Sequence, residues 1–285
     1  MKKIIACVDG TPASTAVTAH AAWAALALGA PLEFLHALDR HPETAEGGDY
    51  SGNLVADSHE QLLQQLSERD TTRSRIARER GRELLEAVKA EARALGVAEP
   101  DGRLRHGSLI ENLTEMADDI EMVVTGQRHH TDVKGKLHLD HTLEGVIRGL
   151  KCPVLATLEN FHQPESFMIA FDGSASGRRH VERIARHPLV KGLRCHVVIA
   201  CEENDPLADN LLKWARETLE AAEIPTETAA LEGEPTDTLP RYARDKGVDL
   251  MVTGAFGHSA LRQLIFGSTT TTLLRTSPVP VLVLR

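Results

Sequence analysis

The chain carries neither of the two common phosphate fingerprints. No G-x-x-x-x-G-K-[ST] and no G-x-G-x-x-G segment occurs in its 285 residues, which excludes a Walker loop with its phosphate-binding lysine and the usual dinucleotide turn. No run approaches the ~18 apolar residues that a membrane-spanning helix requires. No C-x-x-C pair exists among Cys7, Cys152, Cys195 and Cys201, so zinc and dithiol sites of that spacing are excluded. Each cysteine sits in or beside a candidate strand, where a buried, reduced thiol is expected. Positive charge is in deficit. The net charge of −9 argues against general affinity for nucleic acid or anionic membrane, both of which need a basic surface. At the start, M-K-K-I-I-A-C-V-D-G brings an acid at Asp9, too soon for a signal peptide, and the expected location is cytoplasmic. What is present is an ordinary globular composition, 42% hydrophobic and 26% charged, in a chain long enough for two domains.

Taken in order, Ile4 to Val8 is a short apolar run ending in Asp9-Gly10, and the alanine-rich segment Ala13 to Leu28 reads as a helix closed by Gly29. Pro31 to Leu38 is a second apolar run, so the chain opens β-α-β with parallel strands. A Gly, Pro, Asp and Glu loop from His41 to Asn53 leads to a helical pattern over Leu54 to Leu95, ended by Gly96 and Pro100. Ser67 to Arg82 mixes both signs of charge at close spacing, the mark of a solvated helical face. Arg103 to Gly107 suits a short strand. Ser108 then caps a helix through Asp118, with Glu111 as its capping-box partner.

The second half repeats the first. E-M-V-V-T-G-Q-R-H from Glu121 matches D-L-M-V-T-G-A-F-G-H from Asp249, and I-I-A-C-V-D-G-T from Ile4 aligns with F-M-I-A-F-D-G-S from Phe167, setting Asp9 on Asp172 and Gly10 on Gly173. C-P-V-L at Cys152 likewise meets V-P-V-L at Val279. Two tandem domains follow, residues 1–159 and 166–285, joined by the polar linker Glu159 to Ser166. Each is expected to be an α/β unit with an open five-stranded parallel sheet and helices on both faces. In such sheets ligands bind beyond the carboxyl ends of the strands where the strand order reverses, which places Asp172 and Gly254 at the ligand end if strands one and four flank that point.

The stretch from Asp249 to Arg285 carries the chemistry. An apolar strand, Leu250 to Thr253, breaks at Gly254 and Gly257; nine residues then intervene before Gly267-Ser268, where a short helical pattern with Leu273 and Leu274 begins. A helix opened by Gly-Ser presents unpaired N–H groups and a hydroxyl at the positive end of its dipole, an anion site. His258 and Arg262 are the nearby side chains able to neutralise phosphate charge, and Thr269 to Thr272 add hydroxyls, although four β-branched residues are a poor local choice for a helix.

The Asp-Gly pair after strand one, the G-x-x-G-x9-G-S element and the closing S-P-V-P-V-L-V-L strand together resemble the universal stress protein family, here twice in tandem over nearly the whole chain. The resemblance implies Rossmann-like, adenine nucleotide alpha hydrolase-like domains and bound ATP or AMP, with Mg²⁺ as a further component. It implies that Gly254, Gly257, Gly267 and Ser268 hold the phosphates, that Asp172 lies by the ribose or Mg²⁺, and that backbone near Ala200 meets adenine. For Asp172 the capping of the next helix is an alternative role. The resemblance also implies self-association through the last strand, so the two halves are expected to form a pseudo-dimer; association of two chains stays open.

The first half departs from this pattern. Gly126 is kept, but His129 replaces the second glycine and Asp140-His141 the Gly-Ser, with one extra residue between. A carboxylate there repels phosphate, so no nucleotide is expected in that half by this mode. His129, His130, His138 and His141 lie near Asp132 and Asp140, residue types that ligate metals, but the spacing matches no known ligand set, and Arg128, Lys134 and Lys136 add positive charge; no metal is expected. An adenine-nucleotide-binding regulator of the stress response, with at most slow ATP hydrolysis because no general base stands out, is the expectation. A non-nucleotide dimerisation or interaction scaffold, or a metal-binding role for the His-rich loop of the first half, is the alternative; an adenine-nucleotide-dependent ligase lacks a nameable reacting group.

Overall fold

The computed structural model describes residues 1–38, 56–127, 129–131, 137–139, 141–202, 206–255 and 268–285. The first half runs β1 (Lys3–Cys7), α1 (Ala13–Leu28), β2 (Leu32–Leu38), α2 (Ala56–Ala94), β3 (Asp101–His106), α3 (Leu109–Glu115), β4 (Ile120–Gly126), β5 (His129–Thr131), β6 (Leu137–Leu139), α4 (His141–Gly149) and β7 (Val154–Thr157). The second runs β8 (Ser166–Ala170), α5 (Ala175–Ala185), β9 (Arg194–Cys201), α6 (Pro206–Glu220), β10 (Thr226–Glu232), α7 (Pro235–Lys246), β11 (Leu250–Gly254), α8 (Ser268–Thr276) and β12 (Val281–Leu284).

Ten strands form one sheet in the order β10-β9-β8-β11-β12-β7-β4-β1-β2-β3. Within each half the five strands are parallel, and the order reverses between the first and fourth strands of each half. The halves join where β12 lies antiparallel on β7, with Leu282 opposite Leu155. The last strands that would otherwise be edges therefore satisfy each other's backbone groups. Alternation along each strand feeds two apolar layers: Ile4, Ala6 and Val8 face the layer under α1, α2, α5 and α6, while Ile5 and Cys7 face the layer under α3, α4, α7 and α8. Each layer draws buried side chains from both halves, Phe34 and Phe167 in one, Leu35 and Met168 in the other.

Local signals read in the sequence reappear in the backbone. Gly29 closes α1 in the left-handed region at φ 58°. Ser108 and Glu111 form the reciprocal capping box of α3, but the helix stops at Glu115 and a 3-10 turn over Ala117–Asp119 replaces its last expected turn. The described charged face of α2 is exposed from Thr72 to Arg80 except at Ala77. At Gly81 a Cβ would come within 2.7 Å of Leu104 and 2.9 Å of His36, so glycine lets α2 close on β2 and β3. The loop from His41 to Asn53 lies outside the described residues, and no described helix is long and apolar enough to cross a membrane.

The β5–β6 hairpin was not foreseen. His129 to Thr131 pairs antiparallel with Leu137 to Leu139, and β6 lies against α8 of the other half. The side chains of this hairpin, and residues Arg128, Asp132, Lys134, Lys136 and Asp140, lie outside the described residues; His141 is described only in its backbone. Among the described residues no group of three His, Cys, Asp or Glu side chains is arranged to hold a metal.

Candidate functional site

The carboxyl ends of β8, β9 and β11 surround a cavity of about 330 Å³. The chain leaves β8 at Phe171 and turns at Gly173, whose φ of +68° favours glycine; a Cβ there would stand 2.6 Å from the tip of the Leu211 side chain, which would have to shift. Asp172 Oδ1 accepts hydrogen bonds from the Ser174 backbone N–H at 3.1 Å and from the Ser174 hydroxyl at 2.7 Å. Ser174 in turn caps α5, accepting from the Gly177 N–H at 2.9 Å. The cap of α5 is thus Ser174 and not Asp172, and Asp172 holds that cap in place. The first half builds the same turn: Asp9 Oδ1 accepts from the Thr11 N–H at 2.9 Å and the Thr11 hydroxyl at 2.6 Å.

Asp172, Ala200, Gly254 and Thr269 all line the cavity. Ala200 is the penultimate residue of β9, paired with Leu231, and does not lie beyond the strand as expected. Ser268 opens α8, as the Gly-Ser pattern predicts, and its side chain lies outside the described residues. Of the threonines that follow, Thr269 is exposed while Thr270 is buried and donates from its hydroxyl to the Gly254 carbonyl at 3.0 Å. That bond ties the start of α8 to the end of β11 and explains one of the four β-branched residues. Gly173 sets the turn and is not among the cavity's lining residues. Gly257, His258, Arg262 and Gly267 lie outside the described residues.

Several lining residues escaped the sequence reading. Ile169, Phe171, Val252, Leu239 and Leu273 give the cavity an apolar floor, and Gly177 and His180 reach it from α5. At Gly177 a Cβ would collide with Asp172 Oδ1 and stand 3.2 Å from the Phe171 ring, so this glycine keeps the aspartate in its place. The signal lay in the internal repeat, because the first half has Ser14 and Val17 where the second has Gly177 and His180. The matching cavity of the first half is about 150 Å³ and is lined by Asp9, Ser14, Val17, Ala37 and Gly126 among others.

The cysteines are free, and burial pushes the Cys7 thiol up to about 12 and the Cys152 thiol up to about 11, so neither is a ready nucleophile.

A model of the universal stress protein family matches residues 1–157 and again residues 165–285. The chain belongs to the universal stress protein family. A universal stress protein of Synechocystis sp. is 31% identical over 287 residues, covering 100% of both chains. Among solved structures, a universal stress protein from Archaeoglobus fulgidus DSM 4304 matches 99% of this chain and 96% of its own with a TM-score of 0.67 at 18% identity. A putative universal stress protein from Pseudomonas aeruginosa UCBPP-PA14 matches 100% of this chain and 93% of its own with a TM-score of 0.63 at 18% identity. At these identities the two structures speak for the fold, which is the tandem Rossmann-like arrangement that the family resemblance implied.

Proposed function

We propose that the second half binds an adenine nucleotide, ATP or AMP with Mg²⁺, and that the protein acts as a nucleotide-binding regulator in the stress response with at most slow hydrolysis. One observation carries this reading: Asp172, Ala200, Gly254 and Thr269, four positions chosen on sequence, line a single cavity at the point where the strand order reverses. Its volume of about 330 Å³ falls in the ~300–1,000 Å³ range of small-molecule sites. The residues fit the group: an apolar floor for a base, the Asp172 carboxylate at the rim for a ribose or Mg²⁺, and the start of α8 for phosphates. Gly173 sets Asp172; Gly254, Gly257, Gly267 and Ser268 cradle the phosphates; His258, Arg262 and Thr269 assist.

The smaller cavity of the first half, about 150 Å³, and the carboxylate at Asp140 support one nucleotide per chain. The first half then serves as the fixed partner of a pseudo-dimer, an arrangement supported by β12 on β7. Calorimetric titration of the full chain with ATP and AMP tests the proposal: one site is expected, and Gly257→Val is expected to abolish it without unfolding the protein. Two sites per chain, or unchanged affinity in the variant, would overturn the assignment. Mass spectrometry of whatever co-purifies would identify the nucleotide, and its complete absence together with no titratable binding would favour the interaction-scaffold reading.

A further inference from the structure

Among the described lining residues, the cavity of the second half has an imidazole and its counterpart has none. His180 lies eight residues beyond Asp172, and Val17 lies eight beyond Asp9. In the first half a Cβ on Gly126 would stand 3.5 Å from a Val17 methyl, so this place on the helix looks onto the end of β4. In the second half α5 packs on β11, and His180 lines the cavity together with Gly254, Thr269 and Gly177. Among the described lining residues only Asp172 and His180 titrate. Asp172 is held by Ser174 at the rim, which leaves the imidazole as the lining side chain able to become a cation beside the first glycine of the loop.

We propose that His180 contacts the phosphate end of the bound nucleotide and takes up a proton as the ligand binds, an inference that deepens the nucleotide-site reading above and rests on it. In the free protein, burial holds the ring below the usual histidine range; Arg183 and Arg179 act in the same direction and Asp172 opposes them. β11 brings no titratable side chain to this contact. α6, which also packs on α5, carries Asp209, Lys213, Arg216, Glu217 and Glu220 and sets its Trp214 ring 4.9 Å from the Arg178 guanidinium. The ring is therefore neutral near pH 7.5 without ligand. A phosphate brought against it supplies the counter-charge that burial withholds, and one proton moves from solvent to an imidazole nitrogen with no covalent bond made or broken. Val17 can do none of this, and the first half, although it keeps Gly126, has His129 in place of the second glycine and Asp140-His141 in place of the Gly-Ser.

Calorimetric titration of the full chain with ATP, between pH 6 and 8 and in buffers of different ionisation enthalpy, reads the proton directly. Wild type is expected to take up more protons per ATP at pH 7 than His180→Val, and the affinity gain from pH 8 to pH 6 is expected to be about threefold larger in wild type, since a rise of about one pKa unit in a ring that starts below 6.5 reaches its tenfold limit only at lower pH. Comparing the two proteins with the same ligand cancels titration of the phosphate itself. Adenosine is expected to bind both proteins with the same pH dependence. His180→Gln, which stays polar but takes up no proton, gives the same reading should the valine variant fold poorly. Equal proton uptake in wild type and both variants overturns the role of His180 and leaves the nucleotide site standing. No binding of ATP or AMP to wild type overturns both.

Discussion

Glu33 and His196 hold the same place in the two halves of the sheet. Glu33 pairs with Ile5 on β1, and His196 pairs with Met168 on β8, the counterpart of Ile5. Both are buried, at 1% and 7% exposed, in the layer that α3 and α7 cover. The halves satisfy this polar position differently because their helices differ in length. α7 runs on to Lys246 and brings the Tyr242 hydroxyl to 3.1 Å from His196 Nδ1. α3 stops at Glu115, and the neighbouring strands supply ions instead: Lys3 at 2.8 Å and Arg103 at 2.6 Å from the Glu33 carboxylate.

Glu33→Gln is expected to destabilise the protein by about 2 kcal/mol. Removing one member of a buried ion pair usually costs more, but Lys3 and Arg103 are about one third exposed and can rehydrate. Urea denaturation measures it. A loss below about 0.5 kcal/mol would mean that the triad contributes no more than a surface pair.

Stability is expected to fall as pH drops from 7 towards 5. Burial lowers the pKa of His20, His180, His187 and His196 below their ordinary value of 6.5. The unfolded chain then binds more protons than the folded one below about pH 6.5, so the folded state loses ground there and keeps its full stability above it. His20 is the strongest case. Its Nδ1 lies 2.7 Å from the Ala16 carbonyl, its Nε2 is buried without a partner, and the Phe161 ring packs edge-on at 4.7 Å. Each such histidine adds at most about 1.4 kcal/mol per pH unit. Thermal melts at pH 7.5, 6.5 and 5.5 should show the decline, and His20→Gln should flatten it; an unchanged slope would remove His20 as its source.

Much of this architecture was legible in the sequence, because the signals are local and repeated. The Gly29 terminator, the Ser108–Glu111 capping box and the doubled V-T-G strand each depend on a few adjacent residues. Pairing of the two halves through the last strand was implied by the family resemblance, yet the sequence could not show that the two sheets would become one or that both apolar layers would run through the joint. The site was half legible. Glycine spacing marked Gly254, which lines the cavity, whereas Gly177 and His180 reach the cavity only because α5 lies across β11. The β5–β6 hairpin was missed because short strands rich in histidine carry little β signal.

Gly177→Ser is expected to weaken nucleotide binding about tenfold while leaving the fold in place. The serine restores what Ser14 does in the first half, where its hydroxyl donates to Asp9 at 3.2 Å. In α5 the added Cβ would displace Asp172 from the rim and narrow the cavity. Relief of a helical glycine gains roughly 0.5–1 kcal/mol, which offsets part of the crowding, so thermal stability should stay near wild type. Titration with AMP and a melting curve separate the two effects. Unchanged affinity would show that the position of Asp172 does not matter for the ligand.

Arg285 tests whether the halves unfold together. Its guanidinium donates to the Arg148 carbonyl at 3.1 Å and to the Leu150 carbonyl, covering the end of α4 in the first half, while its own carbonyl accepts from Arg183 at 2.7 Å in the second. Carbonyls at the end of a helix lack internal partners, so Arg285→Ala leaves them to water and costs about 1 kcal/mol. For a chain of this size that is about 2–4 °C in Tm. Because Phe34 and Phe167 share one apolar layer and Leu35 and Met168 the other, neither half can lose its core without exposing the other's. Scanning calorimetry is therefore expected to show one transition in both proteins, shifted down in the variant; two resolved transitions in wild type would mean that the sheet is continuous without being cooperative.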